Sequence, residues 1–317
     1  MRGIETRIVL LLLCSTSALA YALPAGASEI LTRNATQIRL ATDDNGRALV
    51  TYRQGGRMWH VFVWGAVNAR QPSRTVKQVK FKIDYSGGRG AWKRFKNTCQ
   101  TYDGPPIGWA LGECKATDGS YWALQRFQRL LPNVGYTPWR AEQKAWELRI
   151  SHWTGEVAEL EVYTDWVYGG RFHEMFGRAT YRGQAIHGFK TTASGVPLDA
   201  YGRLLFLDTF DSAYGSGWMR ENSFVAHNPS GMFCYGFYPR SSYDGYPKQR
   251  TKALSGKSEK YRLTLGGPGV TPDVLWVGDG LHDYDKNNVA DVDWEKEMND
   301  KLDEMRAAYE EKGCTHH

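Results

Sequence analysis

The spacing of apolar and polar positions changes several times along the chain, and each change marks an element. Residues 8–13 read Ile-Val-Leu-Leu-Leu-Leu, behind Arg2 and Arg7 and ahead of small residues that run to Ala20. From there the pattern alternates with period two over residues 36–41, 48–53, 58–64 and 76–85, which predicts strands. Asp44-Asn45-Gly46 and Gln54-Gly55-Gly56 interrupt that block with residues suited to tight turns. Over residues 120–131 the period lengthens: Tyr121, Leu124, Phe127 and Leu131 recur at three- and four-residue steps before Pro132, predicting a short connector helix. Short strands follow at 146–150, 158–166, 179–181, 184–189, 204–209, 223–226 and 232–237. A polar loop is expected over 240–260, and two more strands at 261–265 and 274–277. Trp294, Met298, Leu302, Met305 and Tyr309 then mark one face of a final helix.

The expected fold is mostly β, with a small basic N-terminal β module over 30–97 and a disulfide loop plus connector helix over 98–135. A larger antiparallel β-sandwich or jelly-roll-like domain, closed by the C-terminal helix, should occupy 136–317. Residues 1–20 have the basic, apolar and small-residue layout of a secretory signal peptide, with Ala18-Leu19-Ala20 the best cleavage match. No later apolar run reaches the roughly 20 residues that a membrane-spanning helix needs. The mature chain is therefore expected outside the membrane, secreted or at the cell envelope.

Removing that leader leaves Cys99, Cys114, Cys234 and Cys314 in an oxidising compartment. Four cysteines allow three pairings. Cys99 with Cys114 and Cys234 with Cys314 are preferred, because the first pair brackets a Gly/Pro-rich loop. Twelve Trp, eighteen Tyr and twelve Phe are many for so polar a chain and favour strands.

Charge is distributed unevenly. Residues 33–97 hold fourteen Lys or Arg against three Asp, and residues 273–312 hold five basic against thirteen acidic side chains. The basic module, interleaved with Tyr52, Trp59, Trp64 and Trp92, fits an anionic polymer or a membrane surface; alternatively, the acidic segment packs near it and the fields compensate. Export turns the expectation away from nucleic acid and toward an extracellular glycan or anionic wall polymer.

Several signatures are absent: no phosphate-cradling G-x-x-x-x-G-K, no G-x-G-x-x-G, no G-x-S-x-G elbow. Nucleotide chemistry and a standard α/β-hydrolase are disfavoured. His173-Glu174 opens like a zinc-protease motif, but Phe176 and Gly177 stand where its second His belongs. No cofactor is required on this reading, and calcium is the one candidate. Residues 283–291 resemble the first nine positions of an EF-hand-type loop, offering Asp283, Asp285, Asn287, the Val289 carbonyl and Asp291 as oxygen ligands. Trp294 stands in the place of the bidentate Glu, so the competing reading is an acidic helix start capped by Asp291 or Asp293.

The chemistry-bearing residues concentrate over 165–238. Glu221 with Asp165, Asp208 or Asp211, and His173, are the candidate catalytic groups; Trp166, Tyr168, Tyr214, Trp218, Arg220 and His227 are the candidate binding groups, and Glu174 lies among them. Rings beside carboxylates and Arg on a β scaffold suit a sugar, which stacks its faces on rings and hydrogen-bonds through its hydroxyls. Three functions follow: a non-enzymatic glycan binder, a polysaccharide hydrolase using a carboxylate pair, and a structural envelope protein whose aromatics are core.

Overall fold

The computed structural model describes residues 28–68, 79–128, 145–170, 172–191, 197–199, 205–209, 218–219, 226–227, 230–239, 260–310 and 314. The leader expected over residues 1–20 lies outside them. The protein is mostly β and antiparallel, with one long helix at its C-terminal end.

The first half is a sandwich of two sheets. One contains β2 (Thr36–Thr42), β3 (Arg47–Gln54), β4 (Arg57–Gly65) and β5 (Phe81–Asp84), in that order. Their alternation is legible: Ile38, Leu40, Ala48, Val50, Tyr52, Val61 and Val63 point to one face. Gly55 and Gly56 both take positive φ, 56° and 78°, in the two-residue hairpin between β3 and β4, a conformation that opposes a side chain. The facing sheet runs β1 (Glu29–Arg33), β8 (Trp146–Trp153), β7 (Tyr121–Gln128), β6 (Ala110–Lys115). It contributes Leu31, Cys114, Trp122, Leu124, Leu148 and Ile150 to the same core. The expected basic module at 30–97 thus shares its interior with strands placed beyond residue 98 and beyond residue 136.

The expected connector helix at 120–131 is corrected to strand β7, up to residue 128. Trp122, Ala123, Leu124 and Gln125 are all buried in succession. A central strand covered on both faces loses its two-residue alternation, so its larger apolar residues can fall by chance at helical spacing.

The second half is a sheet covered on both sides. Strands β9 (Glu159–Val167), β10 (Phe172–Tyr181) and β17 (Met232–Pro239) form its body, with β11 (Gln184–Ala185), β15 (Trp218–Met219) and β16 (Ala226–His227) alongside. One face packs Val162, Met175, Ala179 and Phe233 against Leu263, Leu265, Val274 and Trp276 of a smaller sheet. That sheet orders β14 (Leu205–Thr209), β18 (Lys260–Leu265) and β19 (Val274–Asp279); a separate ribbon pairs β12 (His187–Thr191) with β13 (Pro197–Asp199).

The other face receives α1 (Val289–Ala308), whose Met298, Leu302 and Met305 lie on Phe176, Met232 and Cys234. The Asn288 side chain caps α1 by accepting from the Ala290 amide at 3.1 Å. Its C-terminal end is tied down by the Cys234–Cys314 disulfide, and Cys99–Cys114 closes the loop before β6, giving the two expected bridges.

Residues 266–273 weld the halves together. Gln125 donates to the Asp273 carbonyl and accepts from its amide, both at 2.8 Å. Asp273 also accepts from Ser28 Oγ at 2.9 Å and pairs with Arg149 at 3.1 Å, and Arg149 pairs with Glu147 at 2.6 Å. Every member of this network is buried. Among the described residues no helix is long and apolar enough to cross a membrane.

Candidate functional site

Among the described strands β9 pairs only with β10, so its other side can border a crevice. The opposite bank is β19, and the start of α1 closes one end, leaving about 440 Å³ lined by Thr164, Trp166, Trp276, His282, Asp291 and Trp294 among others. Trp166 is the buried floor: its indole N–H donates to the His282 carbonyl at 2.8 Å, and the His282 and Tyr284 rings meet it edge-on. Trp294 projects from α1, 39% exposed, and donates its N–H to the Thr164 carbonyl at 3.2 Å. Trp276 is half-buried, and its ring folds back over Gly278, where a Cβ would come within 2.2 Å of it. Asp279 and His282 supply polar groups, and no Lys or Arg lines the crevice.

Asp165 and Glu174 are register partners across β9 and β10, on the helix-facing side with Tyr163 and Phe176. Directly opposed side chains start about 5 Å apart at Cβ. Both are buried, and both Asp165 oxygens and Glu174 Oε1 find no hydrogen-bond partner among the described residues. Burial pushes the Asp165 carboxyl up to about 8, with a smaller push from the Glu174 charge; burial alone pushes Glu174 up to about 7. Glu295 of α1 adds to the repulsion on Asp165, and the Tyr284 hydroxyl is hydrogen-bonded to Glu295. Such a pair can hold and exchange a proton at neutral pH, but neither carboxyl is among the residues that line the crevice.

The calcium-like loop folds onto its own donors. Asp291 is buried and accepts from His282 Nε2 at 3.0 Å, the Asp285 amide at 2.9 Å and Asn288 Nδ2 at 2.8 Å. Asp285 accepts from the Asn287 amide and side chain. Asp283, Asp285, Asn287 and Val289 stay exposed. Among the described residues no group of three His, Cys, Asp or Glu side chains gathers as a metal site. The cap is Asn288, where Asp291 or Asp293 was expected.

The other expected site residues are dispersed. His173 is the register partner of Trp166 on β10; His227 pairs with Phe233 beside β17, and Trp218 pairs with Pro239. Asp208 is on β14 opposite Arg262, a different sheet from Asp165. Tyr168 is exposed at the turn after β9, with positive φ of 59°. Asp211, Tyr214, Arg220 and Glu221 lie outside the described residues. Trp276, Trp294, Asp279 and His282 were not expected at a site: Trp294 carried only a helix-face signal and Trp276 only a strand signal. No family model matches the chain, and the comparisons with curated proteins and with solved structures found no match.

Proposed function

We propose that this protein is secreted and binds an extracellular glycan without cleaving it, through the crevice between β9, β19 and the start of α1. The observation that carries the reading is the gathering of Trp166, Trp276 and Trp294 around one opening. Indole faces are the natural platform for the C–H faces of a sugar ring, and Asp279 and His282 stand ready for its hydroxyls. The two disulfides are compatible with export. A hydrolase needs its acid and base at the bond to be cut, and the acidic pair Asp165 and Glu174 is buried and does not line the crevice.

The test is to titrate the mature protein with soluble oligosaccharides while following indole fluorescence, and to assay the same polymers for new reducing ends. A saturable change that Trp276→Ala and Trp294→Ala each weaken at least tenfold, with no reducing ends released, supports the reading. Reducing ends that vanish in Glu174→Gln would overturn it in favour of the hydrolase. Retention on no polysaccharide would leave the aromatics as core.

A further inference from the structure

The first sandwich has an outer face that the crevice does not use. Since Ile38, Leu40, Val50, Tyr52, Val61 and Val63 point inward, the alternate positions of β2, β3, β4 and β5 point out. Register aligns them in rows: Arg53 with Met58, Arg39 with Thr51 and His60, and Trp64 with Lys82. Thr51 and His60 are hydrogen-bonded at 3.1 Å, and Trp92 stacks on the His60 ring with centroids 3.5 Å apart and planes 9° from parallel. Gly87 makes that stack possible, because a Cβ there would meet the His60 carbonyl at 2.9 Å and the Trp92 ring at 3.0 Å. The 3-10 segment Gly88–Arg94, kinked at Arg89 and Gly90, that delivers Trp92 also delivers Lys93 and Arg94, with Lys96 just beyond it.

Arg39, Arg53, Lys82, Lys93, Arg94 and Lys96 are exposed, and none is ion-paired among the described residues. Of the three carboxylates of this stretch, Asp43 holds Arg47 through two hydrogen bonds, Asp84 accepts from the Ser86 and Gly88 amides, and Asp44 stays exposed in the turn after β2, leaving the six cations in excess. From Arg39 on β2 to Lys82 on β5 the cations reach across the four-stranded sheet, roughly 14 Å at the usual strand spacing, far wider than one phosphate or carboxylate. They surround a flat ring pair. Only Met58 offers this face an exposed apolar tip, too little to anchor in a bilayer.

We infer that this face is a second binding surface, and that its partner is an acidic polysaccharide, held by its carboxylate, phosphate or sulfate groups over the cations with a sugar ring against the Trp92–His60 stack. It does not depend on the crevice, and its test separates the two. The mature protein is titrated with polygalacturonate and with heparin, and in parallel with neutral dextran, phosphatidylserine vesicles and a single-stranded oligonucleotide. Expected is saturable binding to one of the two acidic polysaccharides that weakens at least tenfold between 50 and 300 mM NaCl, because exposed charges are screened. Arg39→Ser with Arg53→Ser and Lys93→Ser should cost at least another tenfold. A control removing three distant cations, Arg182, Lys286 and Lys296, should change it less than twofold, as should Trp276→Ala with Trp294→Ala.

Equal losses in the two charge triples would reduce the effect to net charge and overturn the site. Salt-independent binding, absence of binding to both polysaccharides, or tighter binding to vesicles or oligonucleotide would overturn it too. Circular dichroism of each variant guards against misfolding, and all six substituted cations are exposed.

Discussion

Asp165 and Glu174 concentrate the pH sensitivity of the fold. Both carboxyls have folded-state values raised above the ordinary range, to about 8 and about 7, chiefly by burial. The protonated forms are therefore favoured by folding. The stability they contribute is complete below about pH 4 and is lost as pH rises through 7 to 8. Wild-type protein is expected to melt lower at pH 8.5 than at pH 5, by more than about 5 °C. Asp165→Asn should narrow that gap, melting higher than wild type at pH 8.5 and close to it at pH 5. A melting profile that keeps the wild-type pH dependence in Asp165→Asn with Glu174→Gln would show that the pair is not its origin. Both residues stand out in the sequence as polar groups in an aromatic stretch. That they oppose each other is a fact of strand register, which no local pattern encodes.

At the scale of elements, α1 depends on its covered face and its tether. Leu302 is fully buried between the helix and the sheet, so Leu302→Ala should cost about 2–5 kcal/mol in urea unfolding. Removing the Cys234–Cys314 bridge, which spans 80 residues, should cost about 4.5 kcal/mol on the chain-entropy account; Cys99–Cys114, spanning 15, should cost about 3. Calorimetry of the two Cys→Ser pairs checks the order, and a larger loss from the short loop would contradict it. The C-terminal helix was legible because a one-sided surface helix keeps its 3.6-residue stripe. β7 was misread for the converse reason, since cover on both faces erased its alternation. β10 was only partly legible: residues 172–178 mix His, Glu, Met and Gly without a clear period, and their strand form comes from pairing with β9 and β17 at once.

The whole molecule is held as one body by the buried contact of residues 266–273 with β7 and β8. Arg149 and Asp273 are each 2% exposed in their side chains; removing the Asp273 carboxylate leaves Arg149 paired with Glu147 alone and takes the acceptor from the Ser28 hydroxyl and the Gly267 amide. Asp273→Ala should destabilise by about 1–3 kcal/mol, the cost of buried donors left without an acceptor. It should also separate unfolding of the halves, read as non-coincident fluorescence and circular dichroism transitions; a single coincident transition with unchanged midpoint would refute the weld. The opposed charges recognised along the chain take different places in the fold. Arg39, Arg53, Lys82, Lys93, Arg94 and Lys96 lie exposed on the outer side of the first sandwich, whereas Asp283, Asp285, Asp291, Asp293, Glu295, Glu297, Asp300, Asp303 and Glu304 lie on α1 and its leading loop, against the second.

The sequence by itself determined the β character of the chain, most strand positions, the final helix, the favoured cysteine pairing and the charge asymmetry, because each is written in local period, composition or count. Only the tertiary structure decided that β1 and β8 complete the N-terminal sandwich, that Asp165 faces Glu174 under α1, and that Trp166, Trp276 and Trp294 share one crevice. Those outcomes join residues up to 128 positions apart. Which distant surfaces meet is set by burying complementary apolar faces together, and a single strand or helix carries only its own half of that match.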